Sequence, residues 1–278
     1  MSDKIYQIVN EKIMDALKQG TVPWRRPWQA GLPRNAFSNR PYSGINSILL
    51  NLAPYSDPRW ATMKQINEHG GKVRKGERSS LVVFWKQTTI AKETDNGELI
   101  EKQIPLLKYF LCWNVEQCDG LSLPELNTRK VDVIAEAEAI IANTPNPPSI
   151  DYDGEDRAYY IPSKDQIHLP GPESFTSNEE RYVTIFHELS HSTGSESRLN
   201  RKTLTETTHF GSEIYSREEL VAEHGAAYLM AHSVIESTIE NSAAYIQGWL
   251  RALQNDPKMV VTAAQGQKAA NYILNQTD

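Results

Sequence analysis

The sequence contains only two cysteines, Cys112 and Cys118, among 278 residues. Two thiols cannot supply a disulfide framework, and nothing around them has the spacing of metal ligands. No apolar run approaches the roughly 18 residues that a membrane span requires. The amphipathic start carries Asp3 and Glu11, which do not fit the apolar core of a signal peptide. These absences predict a soluble, unsecreted protein without a membrane partner, located in a reducing cytoplasm.

The two halves of the chain carry an excess of opposite charge. The formal net charge of −6 conceals a basic first half, in which residues 1–130 hold 19 Lys and Arg against 13 Asp and Glu. Residues 131–278 hold 10 against 22. Five of the six tryptophans lie in the basic half and six of the seven histidines in the acidic half. The length favours two domains, of which the first is suited to a polyanion and the second to a cation.

The basic half is predicted to be a small α+β domain over residues 1–125. Helical periodicity indicates helices at 3–19, 46–52 and 62–69. The Pro- and Gly-rich stretch 20–44 is predicted to be an ordered loop. Aromatic and β-branched runs indicate antiparallel strands at 80–87 and 106–115, with a hairpin loop over 91–103 around Asn96 and Gly97.

The acidic half, residues 131–278, is predicted to be mainly helical. It follows a linker predicted at 126–130, because Pro, Ser and Asn cluster over residues 121–130. The predicted helices are 131–143, 177–194, 216–233, 238–255 and 262–275. A short β-hairpin is expected from residues 158–162 and 166–169. The whole chain is therefore assigned to the α+β class.

One motif in the acidic half indicates catalytic chemistry. Residues 187–191 read His-Glu-Leu-Ser-His, and on a helix His187 and His191 lie on one face, where both can bind one metal ion. Glu188 can then act as general base on a water molecule that the metal activates. Zinc is the expected ion, and manganese or cobalt can occupy the same ligands. Ser177 and Glu180 predict a capping box at the start of this helix.

A third ligand is expected from the helix at 216–233. Glu219 and Glu223 lie one turn apart among small residues, and their spacing alone does not separate them. Their pattern resembles the third-ligand helix of zincin peptidases, in which the first acid binds metal and the second hydrogen-bonds a ligand histidine. The resemblance assigns Glu219 to the metal and Glu223 to that support. Tyr215, just before this helix, can stabilise the developing oxyanion, or it can be a packing residue.

The basic half combines cations with flat aromatic rings in three clusters, a pattern typical of single-stranded DNA binding. The alternative is that each ring belongs to the core and each cation is solvated. The DNA-contact candidates are Trp24, Arg25, Trp28, Arg40, Tyr42, Asn46, Lys72, Lys75 and Arg78. Because phosphates repel an acidic domain, we expect DNA contacts to be confined to residues 1–130.

Six segments occur in an order that resembles the ArdC-type antirestriction proteins of conjugative plasmids. The segments are PWRRPW (23–28), NRPYSGIN (39–46), GGKVRKGE (70–77), WNVEQ (113–117), HELSH (187–191) and EELVAE (218–223). The resemblance implies an N-terminal single-stranded-DNA-binding domain and a C-terminal zincin-like domain of the kind found in DNA–protein-crosslink proteases. It also implies protection of incoming DNA from restriction in a bacterial host.

Three functional hypotheses remain open at this point. The first is a peptidase that acts on proteins near bound DNA, with a substrate that these residues do not identify. The second is a DNA-binding protein that protects by occlusion and whose metal site is structural or catalytically silent. The third is a plain metallopeptidase whose basic half binds an acidic protein or an anionic membrane surface.

Overall fold

A computed structural model describes residues 2–25, 31–93, 99–124, 133–152, 157–205, 213–235, 243–255 and 259–276. Within these residues the helices are α1 (Ser2–Lys18), α2 (Ile45–Asn51), α3 (Met63–Glu68), α4 (Val133–Ala142), α5 (Asn178–Ser192), α6 (Lys202–Thr205), α7 (Glu213–Ser233), α8 (Ala243–Asn255) and α9 (Met259–Ile273). The strands are β1 (Arg34–Asn35), β2 (Arg59–Thr62), β3 (Lys72–Val73), β4 (Ser80–Glu93), β5 (Leu99–Asn114), β6 (Cys118–Asp119), β7 (Ser149–Tyr152), β8 (Tyr159–Ile161) and β9 (Gln166–Leu169). The predicted α+β class is confirmed.

A four-stranded sheet in the order β1-β2-β5-β4 dominates the first half. β4 and β5 pair antiparallel from Ser80 and Cys112 to Glu93 and Leu99. The predicted loop over 91–103 was therefore wrong for residues 91–93 and 99–103, which continue the two strands. The turn itself, with Asn96 and Gly97, lies outside the described residues. The loop at 20–44 also contains a short 3-10 helix, Pro23–Arg25, and the two-residue strand β1, which pairs parallel with β2.

The second half contains a three-stranded sheet in the order β7-β9-β8. β8 and β9 form the antiparallel hairpin expected from the sequence. β7 pairs parallel with β9 and was not predicted, because its residues directly follow the turn-forming segment 145–148 (PNPP), which does not indicate a strand. The helices α5, α7 and α9 pack on one another beside this sheet.

Glycine allows α7 and α9 to approach closely. A Cβ at Gly266 of α9 would lie 2.5 Å from Cβ of His224 and 3.0 Å from the backbone oxygen of Val221. A Cβ at Gly225 of α7 would lie 2.8 Å from Cβ of Ser190 on α5. These contacts fix the spacing of three helices, one of which carries the HELSH motif.

One hydrophobic core runs through both halves of the chain. It joins Val9, Trp24 and Val83 from the first half to Phe186 and Leu253 from the second. Asn10 on α1 also donates a hydrogen bond to the backbone oxygen of Leu253 on α8 at 3.4 Å. The first helix therefore packs against the helices at the far end of the sequence.

The division into residues 1–125 and 131–278 stays a prediction. The proposed linker, 126–130, lies outside the described residues. In the ranges that the structure describes, we find no helix that is both long and apolar enough to span a bilayer.

Candidate metal centre and nucleic-acid surface

Capping contacts define the start of α5, the helix that carries HELSH. The hydroxyl of Ser177 accepts a hydrogen bond from the backbone N–H of Glu180 at 3.1 Å. The carboxylate of Glu180 accepts from the backbone N–H of Thr176 at 2.8 Å, so one half of the predicted capping box is replaced by a contact one residue earlier. His187 and His191 follow in the third and fourth turns of the helix, and their four-residue spacing places them on one face.

Three donor atoms converge between α5 and α7. Nε2 of His187 lies 3.2 Å from Nε2 of His191, and Glu219 oxygens lie 3.5 Å from each of these nitrogens. Within the described residues, His187, His191 and Glu219 are the group of His, Cys, Asp and Glu whose ligand atoms all lie within 4.8 Å of one another.

These separations fit a divalent metal ion. Nitrogen and oxygen ligands at zinc distances and tetrahedral angles lie about 3.3–3.6 Å apart, which is close to the separations between these three donors. Two imidazoles and one carboxylate also form the donor set typical of catalytic zinc, which leaves a fourth position open. Of the two candidate acids, the structure brings Glu219 into this donor group.

Glu188 and Tyr215 lie beside the donors. The side chain of Glu188 is buried, and its negative charge acts on both His187 and Tyr215. The hydroxyl of Tyr215 hydrogen-bonds Glu219, and burial together with the charge of Glu219 raises the pKa of that hydroxyl. Tyr215 lies inside α7, not just before it, and its side chain is half-buried.

The buried carboxylate of Glu218 supports His191. Nδ1 of His191 lies 3.4 Å from Oε1 of Glu218, which leaves Nε2 of the ring directed at the donor group. Glu218 was not among the predicted site residues, and the expectation that Glu223 hydrogen-bonds a ligand histidine stays a prediction. Glu223 acts on His187 through its charge.

Arg201 holds Glu218 in place, a role that no pattern in the sequence indicates. Its guanidinium donates to Oε1 of Glu218 at 2.5 Å and to Oε2 at 3.2 Å. It also donates to the backbone oxygens of Ser190 at 2.8 Å and His191 at 3.3 Å, at the end of α5. One side chain therefore connects the end of α5 to the carboxylate that orients His191.

The charges around the donor group favour a cation. Burial opposes the ionised form of Glu219, but the hydrogen bond from His187 and the nearby imidazoles outweigh burial and lower its pKa to about 2. Burial likewise opposes the charged form of His187, but Glu219, Glu188 and Glu223 raise its pKa to about 9. In the metal-free protein a proton on His187 supplies positive charge at the position a metal ion would occupy.

Mn²⁺ affinity is therefore expected to rise about tenfold per pH unit between about pH 7 and pH 8.5. With a pKa of about 9, the imidazole of His187 is mostly protonated in this range in the metal-free protein, and the proton must leave before the ring nitrogen can bind metal. Isothermal titration calorimetry at several pH values measures the slope. His232→Ala, at an exposed position near the end of α7, is the control that keeps the slope. An affinity that does not change with pH across this range would contradict the proton-linked site.

The DNA-contact candidate Trp24 belongs to the core. Its side chain is fully buried and packs edge-on against His224 and Trp249, with ring centroids 5.3 Å and 5.5 Å apart. It offers no surface to a DNA strand, so its assignment as a DNA contact is corrected. Arg25 lies in the short 3-10 helix, and Trp28 lies outside the described residues.

The remaining candidates occupy two places. Arg40, Tyr42 and Asn46 line one cleft, in which Arg40 is exposed and Tyr42 is half-buried. Asn46 uses its side-chain amide to bond the backbone of Val83 in both directions, at 2.6 Å and 2.8 Å. A separate set of exposed cations around β3 does not line that cleft. It consists of Lys72, Lys75 and Arg78.

Comparison with known protein families gives two matches along the chain. Residues 3–113 match the family described as the N-terminal domain of anti-restriction factor ArdC. Residues 135–266 match the family described as zincin-like metallopeptidase.

Curated relatives match over nearly the whole chain. Two proteins named DNA primase TraC from Escherichia coli are each 35% identical over 97% of this chain, which spans only 27% and 20% of their own lengths. A protein named y4eC from Sinorhizobium fredii is 31% identical over 98% of this chain and 92% of its own length.

Solved structures of the antirestriction protein ArdC from plasmid R388 have the same fold. The metal-free form is 35% identical with a TM-score of 0.76, covering 98% of this chain and 99% of that one. The Mn(II)-bound form is 37% identical with a TM-score of 0.77, covering 97% of each chain. The chain therefore belongs to the family of ArdC antirestriction proteins.

Proposed function

We propose that this chain is an antirestriction protein of a mobile element that combines single-stranded-DNA binding with a metal-dependent peptidase site. The observation that carries the peptidase part is the donor group of His187, His191 and Glu219 with the buried Glu188 beside it. The location that this role requires is the host-cell cytoplasm, where incoming DNA meets restriction enzymes.

His187, His191 and Glu219 would hold the metal ion, with Zn²⁺ as the expected ion and Mn²⁺ supported by the Mn(II)-bound relative. When bound, the ion would polarise a water molecule and the scissile carbonyl. The carboxylate of Glu188 takes a proton from the attacking water and returns it to the amide nitrogen of the leaving chain. The hydroxyl of Tyr215 donates a hydrogen bond to the oxygen on which negative charge develops.

The first 125 residues would bind single-stranded DNA without sequence preference. Family membership supports this assignment, together with the excess of basic residues in the first 130 residues. Arg40, Lys72, Lys75 and Arg78 are exposed cations that phosphates can reach. Contacts that rely on phosphate charge and on the flat faces of bases do not depend on base sequence.

The affinity for a single-stranded oligonucleotide is expected to fall linearly with salt on a log–log plot, because each neutralised phosphate releases counterions. Replacing Lys72, Lys75 and Arg78 together by Ala should reduce the magnitude of the slope by about 2. Fluorescence anisotropy against salt concentration measures both slopes.

The matched control is Lys164→Ala with Lys202→Ala, which removes two exposed cations from the second half and should leave the slope unchanged. A flat slope for the wild-type protein would remove the claim of phosphate binding. An unchanged slope for the triple variant would show that the surface around β3 does not contact the strand.

A further inference from the structure

A cleft of about 910 Å³ lies between the β4–β5 hairpin, the segments around α2 and α3, and helix α9. Its lining comes from both halves of the chain, since α9 contributes Ala264, Gln267 and Lys268. These three residues follow the i, i+3, i+4 spacing of one helix face. The cleft is separate from the metal centre, because none of the three donor residues lines it.

One wall of the cleft is aromatic. Phe84 and Phe110 lie on the same face of the β4–β5 pair, with ring centroids 6.3 Å apart and planes at 78°. They remain 45% and 49% exposed, although they line a concave surface. Half-exposed aromatic rings in a cleft are typical of a site for a flat ligand.

The rim of the cleft is cationic. Arg40 and Lys64 come from the first half and Lys268 from α9, and all three are exposed. The acidic side chain in the lining is Glu68, which pairs with Lys64 at 3.7 Å. The lining therefore keeps an excess of positive charge, which complements a phosphate.

The cleft is held open by hydrogen bonds beneath its surface. The side chain of Asn46 bonds the backbone of Val83 in β4, and the hydroxyl of Tyr42 lies 3.6 Å from Sγ of Cys112 in β5. The backbone N–H of Gly44 donates to Oε1 of Gln267 at 3.3 Å, which links α2 to α9. The aromatic wall and helix α9, which carries Lys268, are thus fixed relative to each other.

We propose that this cleft binds an unstacked nucleotide of a single DNA strand, with the base against Phe84 and Phe110 and its phosphates beside Arg40 and Lys268. This inference rests on the proposed DNA-binding function and gives it a location. It also places one contact on the acidic half, against the expectation that DNA contacts stop at residue 130. The flat rings next to cations favour a nucleotide over a peptide, whose backbone presents neither a ring nor a charge.

Phe110→Ala in the full-length protein tests the base contact. Fluorescence anisotropy is measured with an oligothymidylate and with an abasic oligonucleotide of equal length, which keeps the phosphates and lacks the bases. We expect about tenfold weaker binding of oligothymidylate and no change for the abasic strand. Phe84→Leu, which keeps an apolar side chain in the strand, should show the same selectivity if Phe110→Ala does not fold.

The matched control is Tyr109→Ala. Tyr109 is 50% exposed and is adjacent to Phe110, but it points to the opposite face of β5. Equal losses for Tyr109→Ala and Phe110→Ala, or equal losses on both oligonucleotides, would overturn the base contact.

Lys268→Ala tests the contact from α9. We expect weaker binding of both oligonucleotides and a reduction of the salt slope by about 0.7, as for one phosphate contact. Lys164→Ala, an exposed lysine elsewhere in the second half, should leave the slope unchanged. A wild-type protein that binds no single strand contradicts the proposed function, whereas wild-type binding with unaltered cleft variants contradicts this location alone.

Discussion

Glu188→Gln is expected to lower the rate of peptide hydrolysis by at least about 100-fold, because an amide cannot take the proton of the attacking water. The substitution keeps the size of the side chain, so the buried position of Glu188 remains filled. Fluorescent-labelled casein incubated with the Zn²⁺- or Mn²⁺-loaded protein provides the assay.

Two further measurements separate catalysis from binding in this variant. Metal content and affinity for single-stranded DNA should match those of the wild type, because Glu188 is outside the donor group. Glu196→Gln, at an exposed position after α5, is the control that should keep full hydrolysis. Wild-type rates in Glu188→Gln would contradict its role as general base.

The same variant distinguishes proteolysis from occlusion in the cell. Plasmid transfer into a restricting host is compared for the wild type, Glu188→Gln and the triple variant at Lys72, Lys75 and Arg78. Loss of protection in Glu188→Gln supports the peptidase mechanism. Full protection would show instead that DNA is protected by binding and that the metal site is not required.

Arg201→Ala is expected to reduce the free energy of unfolding by about 3–5 kcal/mol, because it leaves the carboxylate of Glu218 buried without its cation. Arg201 and Glu218 are 7% and 4% exposed, so bulk water solvates neither charge in the folded protein. Burial opposes the charge on Glu218, and hydrogen bonds from His191 and Arg201 reverse this and lower its pKa to about 2. Urea denaturation monitored by circular dichroism measures the change.

A double variant tests whether the loss comes from the uncompensated charge. Arg201→Met with Glu218→Leu removes both charges, and we expect it to recover a large part of the stability. Its metal affinity should nevertheless stay about 10- to 100-fold below that of the wild type, because the hydrogen bond to His191 is gone. A loss below about 1 kcal/mol in Arg201→Ala would contradict the buried ion pair.

Local patterns were sufficient to predict most helices and the two histidines of the donor group. The apolar spacing of α1 and the HELSH sequence both act within one or two turns of helix, so neighbouring residues determine them. The length of β4 and β5 was underestimated because residues 91–93 and 99–103 are largely polar. These residues pair across the hairpin through backbone hydrogen bonds, which polar side chains do not prevent.

Contacts between distant segments were not predictable. Trp24 beside Arg25 resembled a DNA contact, and only the positions of His224 and Trp249 show that its ring is enclosed. Glu218 and Glu223 are both acids of α7, and helical spacing cannot show which of them faces His191. That choice depends on the position of Arg201, which comes from a separate segment.

The contact between α1 and α8 has a consequence for synthesis on the ribosome. Asn10 and Leu253, which are hydrogen-bonded in the folded protein, are separated by 243 positions in the chain. The buried face of α1, with Val9, Ile13 and Leu17, leaves the exit tunnel long before the helices that cover it. Part of the apolar face of α1 is therefore exposed on the nascent chain until α8 and α9 have been synthesised, and its final packing follows the release of these two helices.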